Sequence, residues 1–374
     1  VHTIVATLPT GNPPGIELAD EVSYVDITDV VGVLEVARRL DLDGAATSCA
    51  DTGLPALGAV CEDLGLPGLT RDSAEACADK RKLKSRFVAS GVDTPAYRLV
   101  YSLPELDAVL DELGTPVIVK APDLQGSRGI AIVRERSQAA WAFSHAIRAT
   151  RQPEIVVEQF VVGREFGAQA LVCNHKVVFV LVHNDEVHQG DSGVPIGHSV
   201  PFRGSVELAA AARAEVEAAI RAIGLNNCAV NVDLIVSDDS VNVLEVTGRV
   251  GANGLPEMVS AYFGIDYYET IVRLALGQPI DDWPRPAGPA VAVGMIVPPS
   301  VRGTLVRLDL EERHANVAHQ FFVSPGARID GFRDSNDCIG QIVATGDFLD
   351  DALGLVEAAR AAVIAEVTPD QLPL

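Results

Sequence analysis

The stretch that most constrains this chain is VNVDLIVSDDSVNVLEVTGR, residues 230–249. Two runs of β-branched and apolar residues flank a short polar turn, which is the pattern of a β-hairpin. Each run carries one acid among its apolar residues. Taking Asp238, Asp239 and Ser240 as a three-residue loop pairs Ser237 with Val241 and sets Asp233 directly opposite Glu245. Side chains on a strand alternate between faces, so Asn231, Asp233, Glu245, Thr247 and Arg249 project together. Directly opposed carboxylates repel and weaken a sheet. A hairpin tolerates them when a cation sits between them, and Mg²⁺ is held in this way by one or two carboxylates plus substrate phosphates. Arg249 on the same face suits a carboxylate or a developing phosphoryl charge. A solvent-facing hairpin with a polar outer face fits the same residues, and a loop of two or four residues would put the acids on opposite faces.

The 374 residues, 48% of them hydrophobic, suffice for two to three domains around one cleft. A net charge of −22 argues against nucleic acid and anionic membrane as partners, because phosphate contacts need a basic surface. The basic run Lys80, Arg81, Lys82, Lys84 and Arg86 is the exception, reading either as a seat for an anionic ligand or as a solvated helix face. No run approaches the roughly 18 apolar residues of a membrane span. The first twelve residues lack the basic flank and cleavage site of a signal peptide. Six scattered cysteines form no Cys-x-x-Cys pair, and the eight histidines show no His-x-x-x-His spacing. Free core thiols in a reducing cytoplasm are the expectation.

Along the chain, strands are expected at residues 3–6, 23–27 and 44–47, with helices at 30–40, 54–64 and 73–90. Strands separated by helices predict a doubly wound parallel sheet. A helix at 104–113, strands at 116–120 and 130–133, a helix at 138–149 and a strand at 154–159 follow. Residues 167–172 and 176–183 read as a hairpin, 184–204 as a functional loop, and 206–223 as a helix before the acidic hairpin. A proline-rich break near 281–289 precedes a small α+β region with an alanine-rich helix at 353–367. The divisions are 1–95, 96–165, 166–284 and 285–374.

Lys120 ends the apolar strand TPVIVK and precedes Gly126-Ser127-Arg128-Gly129. A lysine there can snorkel, or present its ammonium to phosphate while glycine-loop N–H groups cradle oxygens. The run VEQFVVGRE adds Glu158, Gln159, Val161 and Glu165.

The order of these signals is what is specific: Asp79-Lys80, then Lys120 with GSRG, then VEQFVVGRE, then NVDLIV with EVTGR. In that order they resemble the ATP-grasp superfamily, from about residue 20 to the C-terminus. Carboxylate–amine ligases of the L-amino-acid-ligase type are the nearest subgroup; biotin carboxylase and glycinamide-ribotide transformylase-like enzymes lie further off. The resemblance implies an α/β and α+β fold: an N-terminal doubly wound parallel-sheet domain, a two-lobed nucleotide-binding core of lid (96–165) and catalytic (166–284) subdomains, and a small C-terminal domain. It makes Lys80 and Lys120 phosphate ligands of ATP, and Gly126, Ser127 and Gly129 the flap over the triphosphate. It sets Glu158, Gln159 and Val161 at the adenine edge and Glu165 at the ribose. Asp233 and Glu245 would hold Mg²⁺, with Mn²⁺ as an alternative, and Arg249 would stabilise the acyl-phosphate. The sequence departs from the family's Glu-x-Asn-x-Arg at Thr247, a neutral hydroxyl in the asparagine position. The family's first strand and helix also have no counterpart ahead of HTIVAT.

The implied reaction is ATP-dependent joining of a carboxylate, an amino acid or related small acid, to an amine through an acyl-phosphate. His198, in the stretch 191–201, is a candidate base on the acceptor side; a loop histidine satisfied by backbone is the competing reading. Two other readings stay open: a thiol or carboxy-phosphate reaction, including carrier-protein loading, and a nucleotide-binding module with impaired catalysis. Small-molecule substrates, a cytoplasmic place and an open question of homodimerisation complete the expectation.

Overall fold

The computed structural model describes residues 1–10, 14–124, 129–188, 194–238, 240–280, 282–286, 288–311 and 314–370. Strands β1 (Ile4–Thr7) and β2 (Glu21–Tyr24) pair in parallel, as the alternating pattern predicts. Helix α1 (Val30–Ala37) starts at Asp29, whose carboxylate accepts the Gly32 N–H. Helix α2 (Leu54–Leu64) stops at Gly65, which has φ +65. Residues 44–47 form no strand; instead Ser48 makes a single parallel bridge to Val250, beside Arg249.

The continuous helix expected at 73–90 is two helices, α3 (Arg71–Ala78) and α4 (Lys80–Ser90), broken at Asp79. Asp79 is extended there, and its carboxylate caps α4 through the Arg81 N–H. The capping preference of aspartate overrides its neighbours' helical propensity. The Lys80 N–H, freed from helix bonding, donates to Pro122 O at 3.0 Å.

Strands β3 (Tyr97–Val100), β4 (Val117–Lys120), β5 (Ile130–Val133) and β6 (Ile155–Gln159) form an antiparallel sheet in the order β3-β6-β4-β5. Helices α5 (Leu103–Leu113) and α6 (Ala139–Ala149) cover it and enclose a small core around Leu106, Val119, Val133 and Val157.

The largest layer has eight strands. Its first part comprises β7 (Arg164–Cys173), β8 (Lys176–Val187), β9 (Pro195–Val200), β10 (Cys228–Ser237) and β11 (Ser240–Thr247). The helix α7 (Val206–Ile223) intervenes after β9, and α8 (Leu255–Phe263) and α9 (Tyr267–Ala275) follow β11. The rest of the chain adds β12 (Ala290–Ile296), β13 (Gly303–Leu310), β14 (Val317–Phe321), β15 (Arg328–Ile329), β16 (Gly340–Gly346), α10 (Leu349–Ala361) and β17 (Val363–Pro369). The order is β11-β10-β7-β8-β9-β12-β16-β14, with β15-β13-β17 as a separate sheet. The residues after the proline-rich break therefore extend the sheet that carries the acidic hairpin. Residues 184–204, read as a loop, contain β9 in its interior.

This sheet has unlike faces. Val230, Val232, Leu234, Ala168 and Val182 point back into a core shared with α7, α3 and α4. The intervening residues point forward. Toward one end that face is apolar and packed by α8 and α9 through Leu171, Ala229 and Leu181. Toward the other it carries Asn231, Asp233, Glu165, His183 and Asp185.

The acidic hairpin reaches its pairing by a different route from the one expected. Ser237 pairs with Ser240, leaving two residues in the turn, of which Asp239 lies outside the described residues. Leu234 pairs with Val243 and Asp233 with Glu245, so Leu244 is an extra residue, a β-bulge. Val241 and Val243 face the back core. An uninterrupted strand would put Glu245 there too; the bulge turns it forward and returns Val246 to the core.

Leu106 is fully buried in the four-stranded unit. Leu106→Ala is expected to destabilise that unit by about 2–5 kcal/mol. Amide hydrogen exchange would then show faster exchange in β4–β6 and unchanged protection in β10 and β11; equal loss in both sheets would show that they unfold as one body.

Candidate active site

Asp233 and Glu245 stand side by side on the front face. Asp233 is open to the cleft, and Asn231 Nδ2 donates to its Oδ1 at 3.1 Å. Asn231 is itself held by Gln169, whose Nε2 donates to Asn231 Oδ1 at 2.6 Å and whose Oε1 accepts the Gly251 N–H. Lys80 Nζ bonds Glu245 Oε1 at 3.1 Å and Leu124 O at 2.6 Å. The break at Asp79 starts α4 at Lys80 and so delivers that ammonium. Desolvation by the neighbouring protein atoms, then the charges of Glu245 and Asp185, push the Asp233 carboxyl up to about 7. Burial works against the charged form of Glu245 as well, but Lys80, with Lys120 and Arg249 adding to it, holds Glu245 below its ordinary value.

Thr247 is 3% exposed, and its hydroxyl has no partner among the described residues. A buried hydroxyl without a partner is costly unless something else binds it. Two carboxylates and an unpaired hydroxyl, all hard oxygens on one face, fit Mg²⁺ or Mn²⁺. Arg249 is tied to Asp51 by a fork, Nε to Oδ1 at 2.5 Å and Nη2 to Oδ2 at 2.6 Å, and donates to Val250 O. Burial disfavours its charge, but Asp51 raises its pKa overall. Asp51 and Gln169 were not singled out from sequence, because neither sits in a recognisable pattern; only folding brings Asp51 to a residue 198 positions away.

Beside this face lies a buried ion triad. Lys120 Nζ lies 2.9 Å and Lys84 Nζ 3.3 Å from the same oxygen of Glu158. Lys84 also donates to Thr94 Oγ1 at 2.7 Å, and Thr94 donates to Val243 O at 2.8 Å. Burial would raise the Glu158 carboxyl, but the two ammoniums hold it low; burial depresses Lys84, with Glu158 opposing. Glu158 Oε1 remains buried and unpaired among the described residues. Lys84 is missing from the sequence-derived site, though it had a signal: it falls within the buried stripe Lys80, Leu83, Phe87 of α4.

The remaining expected residues scatter around the cleft. The Gln159 N–H is tied to Ala96 O at 2.8 Å, while the Val161 backbone makes no hydrogen bond found among the described residues. Glu165, at the rim, is pushed up by desolvation and by Asp185, against Lys120. Gly129 has φ +66, and a Cβ there would meet Ala121 and Ala149 side chains at 2.8 and 3.1 Å. Gly126 and Ser127 lie outside the described residues. His198 belongs to β9, 5% exposed, with Nδ1 2.6 Å from Asp185 Oδ1. A cavity of about 680 Å³ lined by Asp79, Arg81, Asp123 and Arg151 contains none of the acidic hairpin, so chemistry and not volume locates the site.

Opposed carboxylates, buried lysines and a forked arginine over a large antiparallel sheet are a donor set suited to a divalent cation and an anionic ligand. Residues 77–253 match the ATP-grasp domain, and residues 295–368 match the L-amino acid ligase C-terminal domain 2. The solved phosphoribosylglycinamide synthetase of Anaerococcus prevotii is 37% identical, covers 98% of this chain and 93% of its own, and has a TM-score of 0.83. Alanine–anticapsin ligase of Bacillus subtilis is 25% identical over 67% of this chain and 57% of that enzyme. The biotin carboxylase domain dimer of Hydrogenobacter thermophilus 2-oxoglutarate carboxylase, solved with MgADP, ADP and bicarbonate, shares the fold. Its TM-score is 0.80 at 16% identity, over 98% of this chain and 86% of its own. The chain belongs to the ATP-grasp family.

The raised Asp233 gives a signed pH effect. A carboxyl whose folded pKa exceeds its unfolded value of 3.8 contributes stability that is lost as pH rises toward about 7. Without divalent cation, Asp233→Asn is therefore expected to raise the melting temperature at pH 8, and by less at pH 5, where part of that loss is already present. Mn²⁺ binding to the unaltered protein should weaken roughly tenfold between pH 8 and pH 6, as protons compete for Asp233. Calorimetry at both values checks both; a pH-independent Mn²⁺ affinity would exclude Asp233 as a titrating ligand.

Proposed function

We propose that the protein is an ATP-dependent ligase that joins a small carboxylate, an amino acid or related acid, to an amine through an acyl-phosphate. The observation that carries this reading is the Asp233–Glu245 pair, set beside Lys80, the unpaired Thr247 hydroxyl and Arg249 on one sheet face. The match of the C-terminal residues to an L-amino acid ligase domain supports amide-forming chemistry over the alternatives.

In this reading Lys80 and Lys120 neutralise the ATP phosphates, with Lys84 behind them. Glu158 Oε1, buried and unpaired, accepts the adenine amino group, and the Val161 backbone completes that edge. Glu165 meets the ribose, and the 126–129 loop closes over the triphosphate. Asp233, Glu245 and Thr247 hold Mg²⁺, which offsets phosphate charge when bound. A carboxylate oxygen attacks the γ-phosphorus and ADP leaves. The amine then attacks the acyl carbon, phosphate leaves, and the amine proton passes to the His198 side. Arg249, kept in place by Asp51, stabilises charge on the acyl-phosphate and its adduct. Catalysis is positioning and charge neutralisation.

The four-part division at 95, 165 and 284 belongs to this reading, as do a cytoplasmic place and assembly as a homodimer. Among the described residues no helix is long and apolar enough to cross a membrane. One observation favours a second reading, a nucleotide-binding module without turnover: Thr247 offers the cation a neutral hydroxyl and nothing stronger.

ADP release measured with ATP, Mg²⁺ and each of the amino acids, singly and in pairs, should rise at least severalfold for some combination. ATP affinity without any substrate-dependent release would sink the ligase reading. Glu245→Gln should cost turnover by about 100-fold or more with the fold intact by circular dichroism; near-normal activity removes it from the metal site. Arg249→Ala should lose roughly 100- to 1000-fold in kcat with ATP affinity little changed. Loss confined to nucleotide binding would show that Arg249 serves the nucleotide instead.

A further inference from the structure

His183 and Asp185 lie on one face of β8, and His198 stands directly opposite Asp185 on β9. All three belong to the forward face. Asp185 Oδ1 lies 2.9 Å from His183 Nδ1 and 2.6 Å from His198 Nδ1. One carboxylate oxygen thus serves two imidazoles. The rings meet edge to face, their centroids 5.3 Å apart, and are 1% and 5% exposed. With both Nδ1 atoms turned to Asp185, both Nε2 atoms are left buried without a partner among the described residues. A histidine serving only the core normally has both ring nitrogens satisfied.

Asp185 is held well below the ordinary carboxylate range by the two imidazoles, against its burial. Its charge helps push both Glu165 and Asp233 upward. Gly167 pairs with His183 on one side and with Asp233 on the other, and a Cβ on it would stand 2.7 Å from His183 Nε2. The missing side chain gives the ring room on the side nearer the acidic hairpin.

We propose that His183, Asp185 and His198 form a second divalent-cation site, of the nitrogen-liganded class that takes Zn²⁺ or Co²⁺ in preference to Mg²⁺. One ligand atom from each residue lies within 4.8 Å of the others. Ligand atoms about 2.0–2.2 Å from zinc stand roughly 3–4 Å apart, so the two Nδ1 atoms must give up their hydrogen bonds and draw back from Asp185 Oδ1 by roughly 1 Å to admit the ion. Two imidazoles and one carboxylate are a donor set of borderline softness, unlike the all-oxygen set at Asp233 and Glu245. The two sites lie two strand spacings apart, roughly 10 Å. Open coordination positions would take water, or the amine or carboxylate of a small ligand. This inference stands whether or not the chain is a ligase; with an ion bound, His198 is a ligand and cannot also take the amine proton.

The test uses the full chain, stripped with a chelator and titrated with Zn²⁺ by calorimetry under saturating Mg²⁺, which blocks the oxygen site. The expectation is one equivalent of Zn²⁺ and perturbed ¹⁵N shifts of two histidine rings. His183→Asn, His198→Asn and Asp185→Asn should each weaken binding by about 100-fold or more, while Glu245→Gln leaves it unchanged. Zn²⁺ affinity equal in the unaltered and His183→Asn/His198→Asn proteins would mean an adventitious ion only. Binding abolished by Glu245→Gln would place the ion at the oxygen site; either result overturns the proposal. Should a variant fail to fold, the histidine ring shifts of the unaltered protein decide alone: no perturbation on adding Zn²⁺ refutes the site.

Discussion

Two carboxylates forced to face each other organise this molecule. Asp233 and Glu245 are paired across a hairpin, and much of what lies near them answers their mutual repulsion. Lys80 neutralises Glu245. That lysine is available because Asp79 ends one helix and caps the next, turning the start of α4 toward the sheet. Among the described residues Asp233 makes no ion pair, and desolvation with the charges of Glu245 and Asp185 pushes its carboxyl up to about 7 against Arg249. Two opposed carboxylates with one ammonium beside them present negative charge that a divalent ion would neutralise.

The surrounding architecture makes that charge tolerable. The back of the eight-stranded sheet is a dry core against α7, α3 and α4, so the front can spend positions on polar groups. The four-stranded unit is joined to the same region through Glu158, which binds Lys120 of its own sheet and Lys84 of α4. The segment after α4 adds hydrogen bonds to the outer edge of β11 through Asp93 and Thr94. Asp51, from the N-terminal region, fixes Arg249. Elements far apart in the chain thus meet at one hairpin, and each contributes a charge.

Much of this was legible in the residues. Helices α2 and α7 fall where their apolar spacing and terminal glycines predict them, and β5 falls where its apolar run lies. The facing of Asp233 and Glu245 was also legible, yet for a different reason than the one that holds. A three-residue turn with regular pairing and a two-residue turn with a bulge at Leu244 give the same partner. The sequence does carry the distinction: Val241 and Val243 are followed by Val246, a shift of phase that an inserted residue explains. β9 was missed because glycine, histidine and proline in residues 195–201 mimic a loop, while its pairing with β8 and β12 decides otherwise. Lys84 was passed over because a charged residue in a basic run looks solvated until its helix face is known.

Local chemistry in the sequence determined the element types, the acids of the hairpin and the order of motifs that mark the family, because propensity, alternation and capping act over a few residues. Tertiary structure alone decided which charges meet. Lys84 with Glu158, Arg249 with Asp51, and His198 with Asp185 are partners separated by 13 to 198 positions. Their pairing depends on how sheets and helices stack, and Coulomb energy inside a protein depends on distances and burial that no linear spacing encodes.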